Sequence, residues 1–450
     1  MLATLRRRVS VQVDVQSQGC SPGPVPDRFL TSSEQILAAS DRPDAPLTCG
    51  FLVQFEGELD AARLRCAVRE ASRRHPMMRA ALYGARQYAW RFGTEPPAGS
   101  VGLVEDGSSG WDVHEMMVSG RFDLHAHPPL RIALVRGPDG DQLSLVAHHL
   151  AVDGMGLTTI LSDIIAEYRL AEVATVTAGP VDTHVGLPAG VPPAAKAAVA
   201  GWTAFTRRSG RHITPMGTGR DTGYGYQPLT LPVPGRVLLG SGRRITVNDL
   251  LMAATHLTID RWNRQRGGES GKLRIRMPIS LGNAAEVGGN NTGQALVVTE
   301  PTDRADLARL AARVVDQTER AKQAATAPPI AGVAGKVGMV ATELTPGPWR
   351  VPLLRWGVRA ARPLITPAAA VSNIGSLSSL ASDEPKISSV YFTATVGMPQ
   401  GLLICVAGYG NNIHVTFGYH RHLFGREAAS AFANLFRTAF GELTRIGSAM

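Results

Sequence analysis

The sequence predicts a soluble α/β (α+β) protein of two mixed lobes, and three observations carry that expectation. Short strand-like segments are interleaved with segments of helical period along the whole chain. The composition, 44% hydrophobic and 18% charged over 450 residues, suits a globular protein with core enough for more than one domain. A stretch rich in Ala, Val, Thr, Gly and Pro and poor in charge interrupts the pattern. The boundaries implied are an N-terminal extension over 1–28, a first lobe over 29–175, a crossover linker over 176–212 and a second lobe over 213–450.

Each element has a local reason. Val9, Val11, Val13 and Val15 alternate with polar residues as a short strand, and Ser21–Pro26 is a loop. The fold begins at "RFLTSSEQIL", where Ser32 with Gln35, or Thr31 with Glu34, forms a capping box. "TCGFLVQFEGEL" is a strand. In "DAARLRCAVREASRRHP" Asp60 caps a helix, Leu64, Ala67, Val68 and Ala71 form its buried stripe, and Pro76 ends it. Met77 and Met78 read as core. "QYAWRF" is a strand, and "RIALVR" with "QLSLVAHH" makes a hairpin across "GPDGD". Ile160, Leu161, Ile164, Ile165 and Tyr168 then recur at helical spacing.

The second lobe repeats this vocabulary. "TVNDLLMAATHLTIDRW" is a helix capped near Asn248, and "KLRIRMPISL" is a strand. "ADLARLAARVVDQTERAKQ" is a helix, and "LLICVAGYGNNIHVTFGYH" is a hairpin turned at Gly410–Asn412. "GREAASAFANLFRTAFGEL" closes the chain as a helix. Trp349 to Arg362, "WRVPLLRWGVRAAR", is basic and amphipathic and reads as a solvated helix face.

Charge and cysteines narrow the functional classes. Lys plus Arg number 46 against 37 Asp plus Glu, a net charge of +9 that suits solubility or a polyanionic partner. Nucleic acid is disfavoured, for no recognition helix, zinc pattern or aromatic–basic signature occurs. Cys20, Cys49, Cys66 and Cys405 are scattered without disulfide or zinc spacing, which fits a reducing cytoplasm. The N-terminal arginines precede no apolar signal region, and Ile330–Val340 is too short and broken to span a bilayer.

The chemistry concentrates in "SLVAHHLAVDGMGLTTIL", Ser144 to Leu161. Neighbouring side chains on a strand face opposite ways, so His148 and His149 are not placed to chelate one ion, and no metal site is expected. Two satisfied core histidines are one reading. The other follows from position: a strand ends here, a helix begins, and Asp153 and Gly154 lie between. A neutral imidazole at such a turn can take a proton from a hydroxyl or an amine, and helix N–H groups nearby stabilise negative charge. Asp153 would orient the imidazole or lock the loop.

"HHLAVDG" matches HHxxxDG, and the sequence thereby resembles the CoA- and carrier-protein-dependent acyltransferase superfamily. That superfamily includes condensation domains of nonribosomal peptide synthetases, wax ester and diacylglycerol acyltransferases, and polyketide-associated acyltransferases. "SRRHPMMRAAL", "FDLHAHPPLRIALVR", "TVNDLLMAA", "MPISLGN", "GGNNTG" and "VSNIGSL" are similar to its other segments, in order, over roughly 28–440. The resemblance implies two chloramphenicol-acetyltransferase-like lobes in a V, with a tunnel at their junction. It implies His149 as base or positioner of the nucleophile, His148 as its support, Asp153 as structural, and the Gly154 N–H as an oxyanion donor. Relatives often carry an arginine where Gly282 stands; Arg276 is taken as the substitute partner of Asp153, with Arg79 and Arg131 as alternatives. Asn291, Thr292, Ser372 and Asn373 are taken as substrate or tunnel residues, each equally readable as a turn or cap.

The function so implied is a free-standing, condensation-like acyltransferase making an ester or amide on a natural-product intermediate. The cosubstrate would be a phosphopantetheine thioester, on an acidic carrier protein or as acyl-CoA, with no permanently bound cofactor. Two alternatives stand beside it: a fatty acyl-CoA-dependent wax ester or diacylglycerol-type O-acyltransferase, and a silent carrier-binding member. A cytoplasmic monomer is expected. No G-x-S-x-G elbow is present, which suits direct transfer without a covalent enzyme intermediate.

Overall fold

The computed structural model describes residues 27–42, 46–84, 88–93, 101–171, 211–217, 223–280, 292–326, 366–381 and 384–446. The strand expected over Val9–Val15, the helix over Trp349–Arg362, nearly all of the linker, and Asn291 lie outside these residues.

The first half contains β1 (Arg28–Phe29), α1 (Ser32–Ser40), β2 (Thr48–Phe55), α2 (Ala61–Arg74), β3 (Ala80–Tyr83), β4 (Ala89–Phe92), β5 (Gly102–Val104), α3 (Gly110–Ser119), β6 (Leu130–Val135), β7 (Gln142–His148) and α4 (Gly154–Leu170). The second half supplies β8 (Tyr224–Pro232), β9 (Val237–Leu238), β10 (Arg244–Ile245), α5 (Val247–Arg264), β11 (Leu273–Ser280), β12 (Thr292–Thr299), α6 (Pro301–Arg304) and α7 (Leu307–Thr326). β13 (Ala369–Ser376), β14 (Ile387–Ala394), β15 (Leu402–Tyr409), β16 (Asn412–His420) and α8 (Arg426–Thr444) complete it.

Capping sets the helix starts. Thr31 and Glu34 close the capping box of α1, and Asp60 accepts the N–H groups of Ala62 and Arg63 in α2. α5 starts from Thr246, two residues before the expected Asn248. There the Thr246 hydroxyl takes the Asp249 N–H, and the Asp249 carboxylate reaches back to the Thr246 N–H at 2.9 Å. A reciprocal pair satisfies two orphan donors where Asn248 would satisfy one. Met77 and Met78 are buried, as expected.

Two main sheets result. One is six-stranded, in the order β12-β11-β13-β15-β16-β8. The other is five-stranded, β14-β2-β7-β6-β5, and so takes one strand from the second half of the chain. β14 runs antiparallel to β2, with Phe392 opposite Phe51 and Ala394 opposite Cys49. Just beyond, the Thr395 hydroxyl accepts the Thr48 N–H at 2.8 Å. Val390, Phe392 and Ala394 are buried in the core under α2 and α4, which accounts for the recruitment.

The six-stranded sheet is buried on two faces. Val371, Leu402, Ile404 and Val406 enter the core built on α5, α7 and α8. Ala370, Leu403, Cys405 and Ala407, one step out of phase, enter the first core. Period-two alternation thus sets one sheet between two cores. α3 fastens the halves from the side. The Glu115 carboxylate accepts the Tyr226 N–H at 3.0 Å and pairs with Arg421 at 2.7 Å.

Candidate active site

β7 carries the histidine pair to the end of the five-stranded sheet, where His148 lies opposite Thr48 of β2. The alternation of a strand separates the two rings. His148 is buried against Phe122, edge to face at 5.6 Å, whereas His149 is half-buried.

His148 is locked through both nitrogens. Its Nδ1 accepts the Leu150 N–H at 3.2 Å, and its Nε2 lies 3.4 Å from Asp41 Oδ1. With Nδ1 accepting, the ring proton sits on Nε2 and points at Asp41. Asp41 Oδ1 also accepts the Leu47 N–H at 3.0 Å, and the Leu47 carbonyl accepts the His149 N–H at 2.8 Å. One carboxylate therefore fixes the ring of the first histidine and, through Leu47, the backbone of the second. Burial raises the Asp41 pKa, but the hydrogen bond to His148 and those to two backbone N–H groups outweigh it, leaving the carboxyl below its ordinary value. Asp41 carries no motif of its own; only its position at the end of α1 brings it here.

Asp153 is the N-cap of α4, its Oδ1 taking the Gly156 N–H at 2.8 Å. The N–H groups of Gly154 and Met155 belong to the first turn, where a helix offers no internal acceptor. Gly154 packs where the halves meet. A Cβ there would stand 2.9 Å from the Phe392 ring of β14 and 3.5 Å from Ile374 of β13. Any side chain would displace Phe392, so the helix start and the second half approach through this glycine.

The remaining candidates are distributed along the second sheet. Ser372 and Asn373 sit on β13, half-buried and exposed respectively, and Asn373 Oδ1 accepts the Gly375 N–H at 2.9 Å. That bond supports the irregularity between Asn373 and Ser376. Thr292 is the first residue of β12. Arg276 lies on β11 opposite Leu296 and Ala370, half-buried, without a hydrogen bond or ion pair to Asp153 or any other described residue. Arg131 instead holds the carbonyls of Met117, Gly120 and Arg121 at 2.7, 3.0 and 2.6 Å, and burial pushes its pKa down to about 10. Arg79 donates to the carbonyls of Ser72 and Gly93.

A second buried imidazole went unmarked in the sequence. His114 of α3 is bonded to the Ser144 hydroxyl of β7 at 2.8 Å and the Thr393 hydroxyl of β14 at 2.7 Å. Burial takes its pKa down to about 3, so the ring is neutral and ties both halves together. Gly50 makes room for it, since a Cβ there would lie 2.9 Å from His114 Cε1. Among the described residues no group of three or more His, Cys, Asp or Glu could hold a metal, and no helix is long and apolar enough to cross a membrane.

Comparison with known proteins gives similarity in sequence over part of the chain and in fold over nearly all of it. Residues 48–183 match the Condensation domain family model, a span that contains the whole His148–Gly154 turn. The Mycobacterium tuberculosis protein Rv2305, named uncharacterized, is 26% identical over 436 residues, covering 91% of this chain and 97% of that protein. Nonribosomal peptide synthetase 5 of Gibberella zeae is 31% identical over 120 residues, 25% of this chain and 1% of the synthetase. Among solved structures, a starter condensation domain of rhizomide synthetase in complex with C8-CoA superposes with a TM-score of 0.59 at 14% identity, covering 94% of this chain and 95% of that one. Polyketide synthase associated protein 5 from Mycobacterium tuberculosis gives 0.57 at 18% identity, covering 93% and 99%. The chain is thus similar to the Condensation domain family over 48–183, and its fold is similar to that of solved condensation domains. The resemblance read from the sequence is supported over 48–183, and the fold has the two-lobed mixed architecture that it implied.

Proposed function

We propose that the chain is an acyltransferase that moves an acyl group from a phosphopantetheine thioester to a hydroxyl or amine of a small-molecule acceptor. The observation that carries this is His149, half-buried in the turn that leads from β7 to the α4 N-terminus, where Gly154 meets Phe392 and Ile374 of the second half. His149 takes the acceptor's proton as it attacks the thioester carbon. The Gly154 N–H faces the charge developing on the carbonyl oxygen, and the thiolate leaves. His148, held by Asp41, and Asp153, through its cap, are positioning residues. Ser372 and Asn373 line the approach from the second sheet. A C8-CoA complex of a similar fold supports a CoA or carrier-borne donor, and the basic balance of +9 suits either anionic donor. In this reading the protein is a cytoplasmic monomer that meets an acidic carrier protein or CoA.

The test is turnover of acyl-thioester donors with amine and alcohol acceptors. His149→Ala is expected to lower it by about 10²–10⁴-fold with the unfolding midpoint unchanged. Wild-type turnover in that variant would remove His149 from the chemistry.

A further inference from the structure

We propose that Arg276 anchors an anionic group of the substrate, a phosphate or a carboxylate, on the face of the six-stranded sheet that looks toward the first core. The inference rests on the acyl-transfer reading only in taking that anion to belong to a substrate.

Strand register fixes the face. Ile275 and Met277 enter the core of the second half, so Arg276 between them faces the other way. Its row across the sheet runs Leu296, Arg276, Ala370, Leu403, Gly418, Tyr226. Ala370 and Leu403 in that row belong to the first core, the one that also receives Val152 and Phe392 at the motif turn. Ile374, which touches the Gly154 position, is four residues along β13 from Ala370. At about 3.3 Å per residue and about 4.8 Å between strands, Arg276 starts roughly 14 Å from that turn. An extended thioester arm or acyl chain spans such a distance.

Among the described residues the charge there is uncompensated. Burial lowers the pKa of four arginines, and three of them have evident partners. Arg131 holds three carbonyls, Arg304 holds Asp260 with the carbonyls of Thr299, Ser270 and Gly271, and Arg266 lies on the Trp262 ring. Arg276 has no hydrogen bond, ion pair or ring contact among the described residues, and burial is the one influence on its pKa. A half-buried guanidinium with no acceptor among the described residues gives up hydration without a return from them. A planar donor fork in that condition fits a bidentate oxyanion.

The experiment is equilibrium titration calorimetry on the full chain with two matched probe pairs. One pair is 4′-phosphopantetheine and pantetheine; the other is a medium-chain dicarboxylate and its diamide. The wild type should prefer the charged member of one pair, and Arg276→Ala should erase that preference, about a ten- to hundredfold loss. Binding of the uncharged member should not change. Loss in the first pair assigns a phosphate; loss in the second assigns a carboxylate. Arg276→Lys should retain part of the preference, and Arg276→Gln gives the same reading should the alanine variant not fold. A change below twofold for both charged probes overturns the proposal. No turnover is involved, so the result stands or falls separately from the role of His149.

Discussion

The turn that follows β7 and the turn that follows β16 hold their first histidine in the same way. His148 ends one hairpin; its Nδ1 accepts the N–H two residues on at 3.2 Å, and its carbonyl accepts the Ala151 N–H at 2.9 Å. His420 ends the other; its Nδ1 accepts the His422 N–H at 3.2 Å, and its carbonyl accepts the Leu423 N–H at 2.7 Å. Both rings are buried, and a helix follows each turn. The difference lies in the next residue and in the cap. After His148 comes the half-buried His149, and Asp153 caps α4. After His420 comes Arg421, which grips Glu115 and the Tyr224 carbonyl, and α8 begins at Gly425 with no side-chain cap. The same locked turn thus presents a second imidazole in one half, the proton acceptor of the proposed reaction, and a latch between halves in the other. The backbone geometry is shared; the chemistry is in two side chains.

The largest test of this contrast sets the two following residues against each other. The His149→Ala loss of about 10²–10⁴-fold in turnover should have no counterpart in Arg421→Ala, which should stay within about threefold per folded molecule. Arg421→Ala should instead destabilise the fold by about 1–3 kcal/mol in urea unfolding, because the buried Glu115 loses its ion pair. Equal turnover losses in both variants would erase the distinction.

Acid should act on both halves alike. His114 in the first and His256 in the second are buried and neutral, each with a pKa taken down to about 3 by burial. The unfolded chain binds protons to them below the ordinary histidine value of 6.5, and the folded chain does not. Their contribution is therefore complete above about pH 6.5 and declines as pH falls toward 3. The slope approaches about 1.4 kcal/mol per pH unit for each ring. His114→Asn should flatten the fall of unfolding free energy between pH 6.5 and 5; an unaltered slope would show that the ring is already protonated in the fold.

The smallest effects concern the caps. Asp153→Ala should cost about 0.5–2 kcal/mol, and Gly425→Ser should add a few tenths. Gly425 has φ −81° and ψ 172°, an extended conformation open to any residue, and a Cβ there meets nothing nearer than 3.9 Å. Thermal midpoints moving in opposite directions would sharpen the contrast. A fall in the Gly425 variant would mean that α8 starts bare for a steric reason.

Much of this was legible in local sequence. The alternation of "QLSLVAHH", the 3.6-residue recurrence from Ile160 to Tyr168 and the Asp60 cap each fix an element through neighbours in the chain. The histidine pair at a strand end marked the candidate site for the same reason. Contacts made by distant segments were not legible. Asp41 sits in an ordinary helix terminus, and nothing nearby announces that its carboxylate meets His148. His114 lies in α3, whose pattern is mixed because three of its polar residues, His114, Glu115 and Ser119, bond to other elements. β14 is not among the elements read from the sequence, and only tertiary packing of Phe392 sends it to the first sheet. The expected cap at Asn248 missed because Thr246 and Asp249 satisfy each other.

The borrowed strand has a consequence for how the chain is made. Thr48 waits for a partner 347 residues downstream. At about 5–20 residues per second, roughly 20–70 s separate their emergence from the ribosome. Through that interval β2 shows an unpaired edge lined with apolar side chains, the kind of surface that recruits neighbouring nascent chains. A premature stop before Ile387 would leave that edge open for good, so truncated products should require a chaperone or precipitate rather than survive as a half-protein.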